Sequence, residues 1–198
     1  SSVAAALLMY YYKYPSKYDW DAMSKDDGTK VISDLMLEIC VGSKGKYYTD
    51  GTIIENADLC RQMEKMGYNA TLLNPTEKDR VINELRQGHP VIAVSHLYAS
   101  VDIDYMHSWL ISSEHSKLTT FQYDEWWTFL TKDSFSLFQS NQSIVSGAEY
   151  DMYYVNWGWY GSCNGYYANL DNIYPAAKGP SQFAVSVFTN FIIATPKK

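Results

Sequence analysis

Residues 76–95 read TEKDRVINELRQGHPVIAVS, and the hydrophobic period changes inside this stretch. Val81, Ile82 and Leu85 recur at helical spacing behind Thr76, a residue suited to capping a helix, and Gly88 stops the run. Beyond His89 and Pro90 the chain turns to Val91-Ile92-Ala93-Val94, the short continuous apolar run of a buried strand. This is the point where a helical half hands over to a strand-rich one.

Upstream, the patterns are helical. SSVAAALLMYYYKYP (1–15) offers Ser1 and Ser2 as caps, three alanines as helix formers, and Lys13-Tyr14-Pro15 as a stop. A polar loop, 17–30, carries one aromatic anchor, Trp20. In residues 30–43 Val31, Leu35 and Ile39 stand four apart, with Ile32 and Met36 beside them, and Gly42 closes the helix. SKGKYYTDGT (43–52) is expected to be a turn-rich connector. Ile54, Leu59, Met63 and Met66 then form a stripe ended by Gly67 and followed by a short strand; a methionine stripe of this kind packs a core.

Downstream, β signals dominate: HSWLISS, KLTTFQY, MYYVNW, GYYANL and AVSVFTNFIIAT. Residues 124–143 fit a lid, an insertion or a further strand pair. Helices first and strands after predict an α+β protein, a helical lobe (1–90) followed by an antiparallel sheet lobe (91–198), rather than a doubly wound sheet. At 198 residues this is one domain, or two lobes sharing an interface. The cleft between such lobes is a normal place for an active site.

Composition narrows the function. Net charge is −6 and no basic cluster occurs, so the electrostatic footprint of nucleic-acid binding is missing. No apolar run approaches the roughly 20 residues of a membrane span, and Val3–Met9 lacks the charged leader and cleavage site of a signal peptide. Aromatics reach 16%, with 18 tyrosines, which suits a β-rich core or an extended cleft. Cys40, Cys60 and Cys163 show neither zinc-ligand spacing nor a disulfide framework, and are expected to be small buried hydrophobes. No metal or organic cofactor is implied.

Among the four histidines, His89 in a turn and His115 in a polar loop are expected at the surface, and His96 either serves structure or borders a cleft. His107 is expected to open a strand just after the acidic stretch SVDIDYM, firmly held yet reachable, as a general base must be. A second motif, YYVNWGWYGSCNGYY (153–167), ends a strand at Asn156, with Trp157 and Trp159 flanking Gly158 and tight turns at Gly161 and Gly165. It reads either as an aromatic-rich hairpin, as in a carbohydrate-binding module, or as a carboxamide accepting from a histidine N–H under an indole, which fixes the imidazole tautomer against a nucleophile.

In this order, HSWLIS and VNWGWYG make the chain resemble the streptopain family of bacterial cysteine peptidases, interpain among its members, with a papain-like two-lobed fold. MYYYKYP, YDWDAM, VISDLMLEICVGS, MEKMGYNA and NELRQGHPVIAVS extend the similarity nearly end to end. The resemblance implies that His107 is the general base, that Asn156 holds its ring, and that Trp157 packs over that bond. Trp159 and Gly161 are expected to serve structure and the cleft wall. Met106 and Ser108 depart from the family's glycine and small residue around the histidine, and residues 114–150 look like a lineage-specific insertion.

The resemblance puts the nucleophilic cysteine at the start of the first helix, immediately before Ser1, where free N–H groups and the helix dipole favour a thiolate. A frame two residues later would put it at Ser2. The oxyanion hole is implied to combine the nucleophile's own N–H with a glutamine farther upstream, so residues 1–198 alone are expected to be inactive. The function implied is a secreted endopeptidase, made as a zymogen, cleaving polypeptides through a thioester. Its partners would be polypeptide substrates and a pro-segment or protein inhibitor. The alternative is an inactive relative that binds peptide or glycan.

Overall fold

The computed structural model describes residues 1–23, 30–48, 51–99, 103–119, 148–158, 164–167, 170, 183–185 and 189–197. Helix α1 (Ser2–Tyr12) opens the chain, followed by α2 (Lys30–Gly42), a hairpin of β1 (Lys46–Tyr48) and β2 (Gly51–Ile53), α3 (Asn56–Lys65), β3 (Tyr68–Leu73) and α4 (Lys78–Arg86). Strands β4 (Val91–Ala99), β5 (Ile103–Thr119), β6 (Ala148–Asn156), β7 (Gly165–Tyr167), β8 (Phe183–Val185) and β9 (Asn190–Pro196) complete it. The main sheet runs β3-β9-β4-β5-β6-β7, with β8 beside β4, and its pairings are antiparallel. Helices and an antiparallel sheet therefore share one molecule, and β3 carries the helical half into the sheet edge.

Period-two alternation divides two cores across that sheet. Ile92, Val94, Leu110, Ile192 and Ala194 face α1, α2 and α3, joining Ala4, Ala5, Leu8, Met9, Leu35, Ile39, Leu59 and Met63. Val91, Ala93, Trp109, Ile111, Val155, Trp157 and Phe191 face the other way, toward Val81 and Leu85 of α4. Helix α1 is apolar on nearly all sides because it lies between the sheet and α2. It ends where Lys13 adopts a left-handed conformation (φ 49°) and the Tyr14 N–H reaches back to the Met9 carbonyl.

Several local expectations change. Residues 43–52 are not a plain connector, because Lys46↔Ile53 and Tyr48↔Gly51 pair as a hairpin. Thr76 does not cap α4; its hydroxyl bonds the Asn74 side chain and the helix starts after Glu77. His115 lies in β5 rather than in a loop, opposite Met152. His107 lies inside β5 rather than at its opening, because Ile103 already pairs with Ala99 and His107 stands opposite Ser95. Most of the 114–150 segment lies outside the described residues, but its two ends are the β5–β6 ladder from Glu114↔Tyr153 to Thr119↔Ala148. No helix among the described residues is long and apolar enough to cross a membrane.

Candidate active site

The site begins where β6 leaves the sheet. The β5–β6 ladder ends at Leu110↔Asn156, so past Asn156 the edge of β5 faces a loop instead of a strand. Strand alternation puts His107 on one face with Trp109 and Ile111, and Ser108 on the other face with Leu110. The loop and the start of α1 close on these two residues from either side.

On the first face the His107 ring lies beside a pair of indoles, its centroid 6.2 Å from Trp109 and 6.1 Å from Trp157, with the indoles 5.0 Å apart. Trp157 is wholly buried, and its Nε1–H donates to the Tyr167 hydroxyl at 3.1 Å. The His107 Nε2 lies 3.0 Å from the Trp157 carbonyl oxygen. A carbonyl can only accept, so the ring carries its proton on Nε2 and the neutral imidazole has its lone pair on Nδ1.

On the second face the Ser1 hydroxyl meets the Ser108 hydroxyl at 3.0 Å. This explains why Ser1 occupies the cap position of α1 without a side-chain capping bond. Val3 in the first turn of α1 rests against Gly158, whose positive φ (73°) a larger residue would resist. The start of α1 thus meets the histidine strand and the NWG loop together. Ser2 is buried in that same turn.

The electrostatics agree with the packing. Burial pushes the His107 pKa down to about 4; its bond to the Trp157 carbonyl opposes this, and the Ser1 amine lowers it further. Burial likewise lowers the Ser1 amine to about 6, against an upward pull from Cys40. The imidazole is therefore neutral near pH 7.

The direct bond expected between Asn156 and the ring is replaced by another arrangement. The Asn156 Oδ1 accepts from the Gly158 N–H at 2.9 Å, closing an Asx turn, and the acceptor on the imidazole is the main-chain carbonyl between them. The short asparagine side chain reaches the N–H of its own turn. Asn164, not singled out from the sequence, accepts from the Trp157 N–H at 2.9 Å. An asparagine before Gly165 carries only a turn signal, so nothing local marked it.

The other candidates stand apart. His89, part-exposed in its turn, has its Nδ1 2.7 Å from Glu84. The His96 side chain lies outside the described residues, as do Trp159, Gly161 and Cys163. Cys40 and Cys60 are buried in α2 and α3, and burial raises the Cys60 thiol to about 11. Among the described residues no group of three or more His, Cys, Asp or Glu is placed to hold a metal. An apolar cavity of about 240 Å³ runs along α1 from Val3 to Tyr10 against Ile32, Leu35 and Met36, but neither His107 nor Trp157 lines it.

No protein-family model matches the chain, and no curated protein matches its sequence. Among solved structures, the active wild-type interpain A cysteine protease of Prevotella intermedia is similar in fold, with a TM-score of 0.64 at 18% identity over 96% of this chain and 80% of that one.

Proposed function

We propose that this chain is the catalytic portion of a bacterial, streptopain-type cysteine endopeptidase with a two-lobed papain-like fold, helical over 1–90 and sheet-rich over 91–198. His107 is the general base, and the nucleophile is a cysteine joined directly to the Ser1 nitrogen. The observation that carries this reading is the junction at the amino end of α1, where Ser1 bonds Ser108, the neighbour of His107, and Val3 rests on Gly158, the neighbour of the carbonyl that holds the His107 ring. The Nδ1 lone pair takes the thiol proton, and the N–H groups at the helix start and the imidazolium together stabilise the thiolate. That thiolate in turn draws the imidazole pKa upward from its buried value.

The thiolate attacks the scissile carbonyl carbon, His107 returns its proton to the leaving amine, and water then hydrolyses the thioester. The Trp157 carbonyl keeps the ring oriented, and its indole shields the bond from water. Secretion as a zymogen, polypeptide substrates and a pro-segment or protein inhibitor as partner belong to the same reading, which is supported by the fold of interpain A.

The test is active-site labelling of the chain extended upstream of Ser1. Iodoacetamide or an epoxide probe should modify a cysteine immediately before Ser1, and His107→Ala should abolish the reaction. A chain with no cysteine there, or one whose labelling ignores His107→Ala, overturns the assignment. Ser2 is the other position the resemblance admits, and loss of activity in Ser2→Ala with no upstream thiol would move the nucleophile to it.

A further inference from the structure

Two successive peptide groups make up the NWG loop beside His107, and the N–H of each is held by an asparagine. The Trp157 N–H donates to Asn164 Oδ1 at 2.9 Å. The next peptide, joining Trp157 to Gly158, donates its N–H to Asn156 Oδ1 at 2.9 Å and presents its carbonyl to His107 Nε2 at 3.0 Å. The main-chain carbonyl of Trp157 is thus a partner of the imidazole at Nε2. The buried Trp157 indole, tied to Tyr167, removes the remaining freedom at that residue.

We propose that Asn164 is a positioning residue for His107, acting through the main chain of Trp157 to select which ring nitrogen is basic. The inference rests on the reading of His107 as the general base. The physical argument concerns a peptide flip. Turning the Trp157–Gly158 peptide over would offer Nε2 an N–H in place of a carbonyl. Nε2 would then have to accept, the ring proton would move to Nδ1, and the nitrogen facing a nucleophile would lose its lone pair.

Gly158, with its positive φ (73°), is the residue at which such a flip is easiest, because it can occupy both signs of φ. Asn156 opposes the flip from one side by holding the Gly158 N–H, and Asn164 opposes it from the other by fixing the preceding peptide. Asn156 sits in the sequence motif itself. Asn164 is brought in from the start of β7, eight positions later, by the β6–β7 pairing Val155↔Gly165. The pair makes a clamp that neither residue provides singly.

The experiment reads the tautomer directly. Long-range ¹H–¹⁵N correlation spectra of the chain labelled at histidine should show His107 as the Nε2–H form at pH 7. Asn164→Leu, which keeps size and removes the acceptor, should lower the Nε2–H to Nδ1–H ratio roughly fivefold, the worth of one ordinary hydrogen bond. Asn164→Asp keeps an acceptor oxygen and should restore the Nε2–H form. Should Asn164→Leu fail to fold, Asn164→Ser, polar but too short to reach the Trp157 N–H, serves in its place. An unchanged ratio in a folded Leu or Ser variant overturns the proposal, as does a failure of Asp to rescue. The readout needs no nucleophile, so a tautomer shift without any peptidase activity in the extended chain would leave the clamp standing and remove the peptidase reading.

Discussion

A Cβ at Gly158 would lie 2.9 Å from Cγ1 of Val3, so the loop after β6 and the first turn of α1 touch with no room for a methyl group. Gly158 also sits at φ 73°, so any substitution is strained twice. Gly158→Ala should cost about 2–4 kcal/mol, roughly half from the left-handed backbone and half from overpacking. The double variant Val3→Ala, Gly158→Ala should recover only the second half. Chemical denaturation of the single and double variants measures both parts, and equal costs in the two would show that the contact with α1 is unimportant.

Burial of His107 predicts a specific acid sensitivity. Its pKa is about 4 when folded, against roughly 6.5 when unfolded. The unfolded chain binds more protons between these values, so stability is complete above about 6.5 and falls by about 3 kcal/mol as pH drops to 4. His107→Gln should flatten that window. Where the Ser1 amine is free it adds a loss of the same sign between about 8 and 6, which His107→Gln leaves in place. Urea melts of both proteins at pH 7, 5.5 and 4.5 measure the difference, and parallel losses would show that the ring is not buried neutral.

The indole of Trp157 is anchored by its bond to Tyr167. Tyr167→Phe keeps the ring and removes the acceptor, and should cost about 1–2 kcal/mol. Released from that bond, Trp157 should also show faster indole N–H exchange by NMR. An exchange rate equal to that of the unmutated chain would mean the bond does not restrain it.

Cys40 and Cys60 should resist alkylation in the folded protein. Both are buried, and the Cys60 thiol is raised to about 11 by burial first and by Glu64 second. Iodoacetamide at pH 7 should therefore leave both unmodified until denaturant is added. Mass mapping before and after unfolding checks this, and rapid native labelling at either would disqualify the probe as a reporter of an upstream nucleophile.

Much of the architecture was legible because it rests on local periodicity. The i, i+4 spacing of Val31, Leu35 and Ile39 and the apolar run at Val91 each specify an element through short-range geometry, and both elements form where expected. The β1–β2 hairpin escaped notice because Tyr47 and Tyr48 are exposed in a strand with no buried face to alternate. Caps depend on other partners as well: Thr76 is taken by Asn74, and Ser1 holds the cap position of α1 while its hydroxyl bonds Ser108, partners that helix rules do not contain.

The amino-acid order by itself determined the α+β layout and the strand end at Asn156, since both follow from residue type and spacing along the chain. Only the tertiary structure decided what holds the imidazole. Residues 107, 157 and 164 meet because β5 outlasts β6 at the sheet edge and β7 returns beside β6. Which atom then accepts from Nε2 depends on a competition among neighbouring donors and acceptors in three dimensions. Here the Trp157 carbonyl accepts from Nε2, while the Asn156 Oδ1 accepts from the Gly158 N–H.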